Sequence, residues 1–333
     1  MNFCIFGAGA WGTAMAIHLH RAGHAVTLVP RRLEHATALA STRENKDYLP
    51  GTSLHEDIQI ALEPRPPLME ADAVLLACPS KALRALANQI SPVLDSAWHA
   101  RIFISLSKGL EQRTLLRPTQ VLAETLRGRT HGVISGPSNA AEVARGLPGA
   151  VVFASDKDDE IARRVQEAVS TATLRVYRST DIAGVELGGI LKNIYAIGAG
   201  ICDGLHYGSN ARSSFLTRAL QEMVRLGTAA GGKAETFYGL SGIGDLIATA
   251  HGEWSRNRAF GEILVTPGET VAHYLATHHA VVEGYHATAC FHELAREKGV
   301  TAPILEELYS VLYGGHTPQE GVNLLMRRML KAE

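Results

Sequence analysis

Short apolar runs alternate with amphipathic stretches through the first half of the chain. Residues 3–6 read as a strand, and residues 10–22 as a helix that Gly23 stops. Further apolar runs follow: AVTLVP from Ala25, AVLLAC from Ala73, RIFISL from Arg101, HGVISG from His131 and GAVVFAS from Gly149. Such runs, separated by short turns and helical stretches, predict βαβ units and a mostly parallel, doubly wound sheet. The pattern changes near Thr180. From Asp181 onward β-branched runs are scarce, and IAGVELGGILKNIYAIGAGICDGL and SSFLTRALQEMVRLGTAAG read as helices. The segments around Ala259, Thr288 and Pro303 do the same. The expectation is an α/β domain over residues 1–180 and a helical domain over residues 181–333.

Composition narrows the function classes. Of 333 residues, 46% are hydrophobic and 20% charged, with a formal net charge of −1. That is a globular composition without the basic surface a nucleic-acid partner needs. An anionic substrate must therefore be met by local cations. The four cysteines, Cys4, Cys78, Cys202 and Cys290, are far apart and form no C-x-x-C pair. This argues against structural zinc, an iron–sulfur cluster or a disulfide framework, so no metal is expected. The first strand begins almost at Met1, which leaves no room for a signal peptide, and no uninterrupted apolar run reaches membrane-span length. A cytoplasmic location is the consistent expectation.

The opening stretch NFCIFGAGAWG carries the first candidate chemistry. Gly7, Gly9 and Gly12 form a G-x-G-x-x-G arrangement. Alone, it is only a glycine-rich turn. Here it follows a strand, opens a helix and lies within a βαβ unit, the context of dinucleotide binding. Gly7 permits the tight turn, Gly9 lets the backbone approach a pyrophosphate, and Gly12 lets the helix pack on the strand. The helix start offers free N–H groups and a positive dipole end to the phosphates. An NAD-selective site places Asp or Glu at the end of the second strand, where it binds the ribose 2′-hydroxyl. The sequence there is TLVPRRLEH, with Arg31 and Arg32 instead. Two guanidiniums suit a 2′-phosphate, so NADP is the expected cofactor, with NAD possible; a solvated basic turn is the alternative.

Four later stretches combine charge with glycine. In SLSKGLE, Lys108 follows a strand end, where open α/β sheets bind ligands; it is otherwise a surface lysine. In SGPSNAAEVARGLP, Gly136 and Pro137 break a strand, and Ser138 or Asn139 can cap the next helix. In GVELGGILKN, Lys192 lies in an apolar helical stretch with Gly188 and Gly189 on its own face. Glycine inside a helix costs roughly 1 kcal/mol relative to alanine, so here it would let a ligand or another backbone approach the amine. Burial should then push the Lys192 pKa toward neutrality, as a general acid–base group requires; a snorkelling lysine beside packing glycines is the other reading. In GIGDLIATAHGEWSRNR, Asp245 sits in an apolar setting and calls for a nearby cation, for which Lys192 is a candidate. Ser255 can cap the following helix, whose first N–H groups with Arg256 and Asn257 would make a phosphate cradle; two solvated arginines on a capped helix are the alternative.

Together these stretches resemble the soluble, bacterial-type NAD(P)-dependent glycerol-3-phosphate dehydrogenases. GAGAWGTA, SKGLE, SGPSNAAEVARGLP, GVELGGILKNIYAIGAGICDG, NAR, GIGDLIAT, SRNR and VVEGY stand in that family's order across essentially the whole chain. The resemblance implies a Rossmann-like N-terminal domain and an all-α C-terminal domain similar to that of 6-phosphogluconate dehydrogenase. It implies reduction of dihydroxyacetone phosphate to sn-glycerol 3-phosphate for phospholipid synthesis, by a homodimer without a nucleic-acid partner. Lys192 matches the family's catalytic lysine. Lys108, Gly136, Ser138, Asn193, Asp245, Ser255, Arg256 and Asn257 match substrate positions. Gly7, Gly9, Ala10, Trp11, Gly12, Arg31, Arg32, Tyr48, Lys108, Ala140, Arg256, Val281 and Glu283 match cofactor positions. Ala10 and Ser138 depart from the serine and threonine of many relatives. A 3-hydroxy acid or ketopantoate dehydrogenase, and a non-catalytic NADP(H) sensor, are the competing readings.

Overall fold

The computed structural model describes residues 1–94, 102–157, 160–278 and 281–330. The chain divides into two units, Met1–Glu186 and Leu187–Glu333.

The strands of the first unit are β1 (Asn2–Phe6), β2 (Ala25–Val29), β3 (Glu44–Asn45), β4 (Leu49–Ser53), β5 (Gln59–Ile60), β6 (Ala73–Leu76), β7 (Ile102–Ser105), β8 (Thr130–Ser135), β9 (Gly149–Ser155) and β10 (Leu174–Ser179). Its helices are α1 (Ala10–Arg21), α2 (Leu33–Thr42), α3 (Arg65–Glu70), α4 (Ser80–Ile90), α5 (Pro118–Thr125), α6 (Ala140–Arg145) and α7 (Glu160–Val169). Eight strands form one sheet in the order β10-β9-β8-β7-β6-β1-β2-β5, and β3 pairs with β4 separately. Neighbours in the large sheet are parallel except β8 and β9, which are antiparallel.

The sheet is covered on both faces. Phe3 and Ile5 belong to one apolar cluster together with residues of α1, α6 and α7. Cys4 and Phe6, pointing the other way, belong to a second cluster with residues of α4 and α5. Burial on both faces is why β6 and β7 read as continuous apolar runs instead of alternating ones. The predicted strands are all present, with Arg101 at the head of its run outside the described residues. The apolar-run reading missed β10, an edge strand in which buried Leu174 and Val176 alternate with exposed Arg175 and Tyr177. It also missed β3, β4 and β5, which are short or mostly exposed.

The second unit has no strand among its described residues. Its helices are α8 (Ile182–Gly204), α9 (Gly208–Ala229), α10 (Ala234–Phe237), α11 (Asp245–His251), α12 (Arg256–Ile263), α13 (Val271–Thr277), α14 (Glu283–Lys298), α15 (Pro303–Tyr313) and α16 (Pro318–Met326). The division between the units falls inside α8. At 23 residues and with a window of mean hydropathy 1.2, α8 meets the length and composition of a membrane span although Glu186 and Lys192 interrupt its apolar residues. Its most apolar window is wholly buried within the protein, the condition of a core helix.

Candidate active site

The chain climbs β1 and turns through residues 7–12 into α1. Gly7 has φ +102°, a conformation that a side chain disfavours, and a Cβ there would strike the Ala77 carbonyl. A Cβ on Gly12 would collide with the Gly7 carbonyl, so α1 can pack on the turn only without a side chain at that position. Gly9, the N-cap of α1, has nothing within 4 Å of where its Cβ would be. No side chain caps this helix, and no acidic residue occupies its first turn. The first N–H groups of α1 thus have no side-chain cap and no acid in their own turn, which fits a bound pyrophosphate.

Strand order reverses between β1 and β6, so the glycine turn lies at a topological switch point. Because β1, β2, β6, β7 and β8 are parallel, Gly7, Arg31, Lys108 and Gly136 follow carboxyl ends on one edge of the sheet. The Lys108 Nζ donates to the Gly136 carbonyl at 3.1 Å, and Ser138 Oγ donates to the same oxygen at 3.0 Å. Asn139 caps α6 by accepting from the Glu142 N–H at 3.0 Å, leaving Ala140 as its first residue. Arg31 and Arg32 are exposed beyond β2, and Arg32 is the N-cap of α2. Ala10 and Trp11 open α1, with Trp11 packed against the core. Tyr48 is exposed, its ring 5.4 Å from that of His35.

In the second unit, Lys192 on α8 is 5% exposed. Its Nζ is 3.0 Å from Asp245 Oδ1 and donates to Thr249 Oγ1 at 2.5 Å. Asp245 opens α11, and Thr249 follows one turn later on the same face, donating to Asp245 at 3.3 Å. Burial alone disfavours an ammonium, whereas a carboxylate in contact favours it, so Asp245 allows a charged lysine in an apolar helix. The cation expected beside Asp245 is Lys192. Gly188 serves packing: a Cβ there would lie 2.5 Å from the Ser241 carbonyl, in the turn that leads into α11.

The SRNR stretch separates into inward and outward groups. Ser255 caps α12 by accepting from the Arg258 N–H at 3.2 Å. Arg256 is exposed. Arg258 turns inward, its Nε 2.6 Å from Asp203, which also takes Arg212 at 2.9 Å. Asn257 also points inward: its Nδ2 donates to Asn193 Oδ1 at 2.9 Å, and its Oδ1 accepts from the Gly284 N–H at 2.9 Å. These two bonds join α8, α12 and α14 through the Asn257 amide. Val281 and Glu283 flank this junction at the start of α14.

Residues 2–161 match the family model described as NAD-dependent glycerol-3-phosphate dehydrogenase N-terminus, and residues 181–323 match that of the C-terminus. The chain belongs to the NAD-dependent glycerol-3-phosphate dehydrogenase family. A glycerol-3-phosphate dehydrogenase [NAD(P)+] of Moorella thermoacetica is 45% identical over 327 residues, covering 98% of this chain and 96% of the relative. One from Syntrophotalea carbinolica is 42% identical, covering 100% and 99%. The crystal structure of the Coxiella burnetii glycerol-3-phosphate dehydrogenase superposes with a TM-score of 0.91 at 36% identity, over 98% of each chain. The ketopantoate and sensor alternatives are not favoured by these matches.

Three polar residues of this family member escaped the sequence reading. Thr249 had a signal, a hydroxyl four residues after Asp245 in an apolar helix. Asn45 had none. It is 1% exposed, and its Nδ2 donates to the Ala8 carbonyl at 2.9 Å and to Thr13 Oγ1 at 2.7 Å, clamping the glycine turn. The Tyr48 N–H donates to the Asn45 carbonyl at 3.3 Å, which ties Tyr48 to the same turn. Glu186, in GVELGG, is buried and accepts from the Thr119 N–H and hydroxyl, each at 2.7 Å, and from Arg117 at 2.5 Å. Burial pushes its carboxyl above the usual range, against the lowering by Arg117 and Thr119.

Proposed function

We propose that this chain interconverts dihydroxyacetone phosphate and sn-glycerol 3-phosphate with a nicotinamide cofactor. The observation that carries the chemistry is the buried Lys192, held by Asp245 at 3.0 Å. A bound nicotinamide cofactor supplies the hydride for the ketone carbon. Lys192 then meets the oxygen on which negative charge builds, stabilises it as ammonium and donates its proton from Nζ. In the oxidative direction the neutral amine takes the proton back. Asp245 and Thr249 fix the direction of Nζ, while Lys108, Gly136, Ser138 and Asn193 are further substrate-binding residues on this reading. Arg256 and the N–H groups at the start of α12, which Ser255 caps, hold the phosphate. Asn257 completes that cradle, its amide already placed by Asn193 and Gly284.

The glycine turn and the start of α1, with Gly7, Gly9, Ala10, Trp11 and Gly12, receive the pyrophosphate. Ala140, Tyr48, Val281 and Glu283 complete the cofactor contacts, with Lys108 and Arg256 serving both ligands. Arg31 and Arg32 favour NADP over NAD, because exposed guanidiniums beyond β2 attract a 2′-phosphate and no carboxylate replaces them. The reading also carries a cytoplasmic homodimer, which light scattering of the purified protein checks for its assembly.

The test is oxidation of NADPH and, separately, NADH with dihydroxyacetone phosphate. The expected result is a larger kcat/KM for NADPH, falling about tenfold or more in Arg31→Ala/Arg32→Ala, since a charge-assisted contact contributes about 1.5–3 kcal/mol. NADH turnover should be almost unchanged in that variant. A preference for NADH in the wild type would sink the role of the arginines and leave the reaction standing. Oxidation of neither cofactor would sink the reaction.

A further inference from the structure

We propose that His20, His55 and Asp57 form a binding site for one divalent transition-metal ion of the Zn²⁺ class. They are the group among the described residues whose metal-ligating atoms converge, all within 4.8 Å of one another. His20 lies in the last turn of α1, while His55 and Asp57 lie between β4 and β5. A residue from a helix thus meets two from a connecting segment.

The spacing suits an ion. Tetrahedral ligands at about 2.0–2.1 Å from zinc stand about 3.3–3.4 Å apart. His55 Nδ1 and Asp57 Oδ2 are 3.4 Å apart. The His20 and His55 rings now stack, with centroids at 4.4 Å and a tilt of 27°, so the half-exposed His20 ring must swing out of the stack to aim a nitrogen at the ion and complete the third edge. The Asp57 N–H now donates to His55 Nδ1 at 3.3 Å, a long bond that the ion would replace.

The backbone behind these ligands is held in place. The Arg43 guanidinium donates to the carbonyls of His55 and, at 2.9 Å, Ile58. The Leu54 N–H donates to the Arg43 carbonyl at 2.7 Å, and the Ile58 N–H to the His55 carbonyl at 3.1 Å. On the other side, His18 and Leu19 of α1 are buried and anchor the helix end. Two imidazoles and one carboxylate select Zn²⁺, Co²⁺, Ni²⁺ or Cu²⁺ over Mg²⁺ or Ca²⁺. The glycine turn is at the other end of α1, about 18 Å away for a helix of 12 residues. The ion would therefore staple α1 to the β4–β5 connection and take no part in the reaction.

The experiment is a calorimetric titration of the full-length protein with Zn²⁺, and with Mg²⁺ as control, alongside its thermal midpoint. The expected result is one micromolar equivalent of Zn²⁺ that raises Tm, with no response to Mg²⁺. His20→Ala and His55→Ala, each at the surface and each with a metal-free Tm near wild type, should lose that equivalent and its Tm rise. His316→Ala, at an exposed histidine of the second unit, should keep both. The same Zn²⁺ stoichiometry in all three variants, no rise in wild-type Tm, or an equal response to Mg²⁺ would overturn the proposal.

Discussion

The glycine turn and the lysine cluster are built in opposite ways. The turn takes six consecutive residues and uses backbone: a positive φ at Gly7, a missing side chain at Gly12 and open space at Gly9. The cluster uses side chains from positions far apart in sequence, Lys192 on one helix and Asp245 and Thr249 on another. The turn tolerates no added atom at Gly7 or Gly12 and carries no net charge. Side-chain sites carry a charge that must be kept paired once it is buried. The first fails by collision, the second by the loss of a partner.

The largest test of this contrast is Lys192→Ala. General acid–base catalysis contributes about 10²–10⁴-fold, and Lys192 also stabilises developing charge, so kcat should fall at least about 10³-fold. Cofactor affinity, measured by fluorescence titration, should stay near normal. Turnover close to wild type would remove Lys192 from the chemistry.

On the backbone side, Gly12→Ala should lower stability by about 1–3 kcal/mol, because its Cβ meets the Gly7 carbonyl. Gly9→Ala should leave Tm alone and raise the Kd for the cofactor by about tenfold, roughly 1.4 kcal/mol, since only a ligand occupies the space its Cβ enters. If both variants lose stability alike and bind cofactor normally, the turn is merely structural.

The inward and outward residues of SRNR give a finer comparison. Asn257→Ala removes two buried hydrogen bonds and should cost about 1–3 kcal/mol in denaturant unfolding. Arg256→Ala, exposed, should leave stability within about 0.5 kcal/mol and raise the KM for dihydroxyacetone phosphate at least about tenfold. The reverse pattern would exchange their roles.

The smallest effect concerns pH. The His18 ring bonds the Val169 carbonyl through Nε2 at 2.7 Å; a carbonyl only accepts, so Nε2 carries the proton. Burial lowers the pKa of this ring below the ordinary imidazole value, with Arg21 and His24 adding to the shift and the bond to Val169 opposing it. A depressed histidine contributes stability above its unfolded pKa, near 6.5, and loses it as pH falls toward the folded value. Below about pH 6.5 unfolding free energy should therefore drop by up to about 1.4 kcal/mol per pH unit for this one proton. His18→Gln should flatten that slope. An unchanged slope would assign the acid sensitivity elsewhere.

Legibility followed the same division. The glycine turn and the buried strands could be read because their signals are local: a spacing of glycines, a run of apolar residues. Edge strand β10 was missed because half of its residues face water. At SRNR the residue types were visible but their directions were not. Only packing decides that Arg256 faces out while Asn257 and Arg258 face in.

By itself, then, the amino-acid sequence determined the α/β and helical halves, the glycine turn, and Lys192 and Asp245 as the charged residues of interest. Each depends on periodicity or on a residue type at short range. Tertiary structure alone decided that Asn45 clamps the turn, that Thr249 completes the lysine's hydrogen bonding, that Glu186 receives Arg117 and Thr119, and that Gly188 admits a neighbouring backbone. Those contacts join residues distant in the chain. A buried polar atom takes its partner from whichever segment packs against it, and no local pattern encodes that choice.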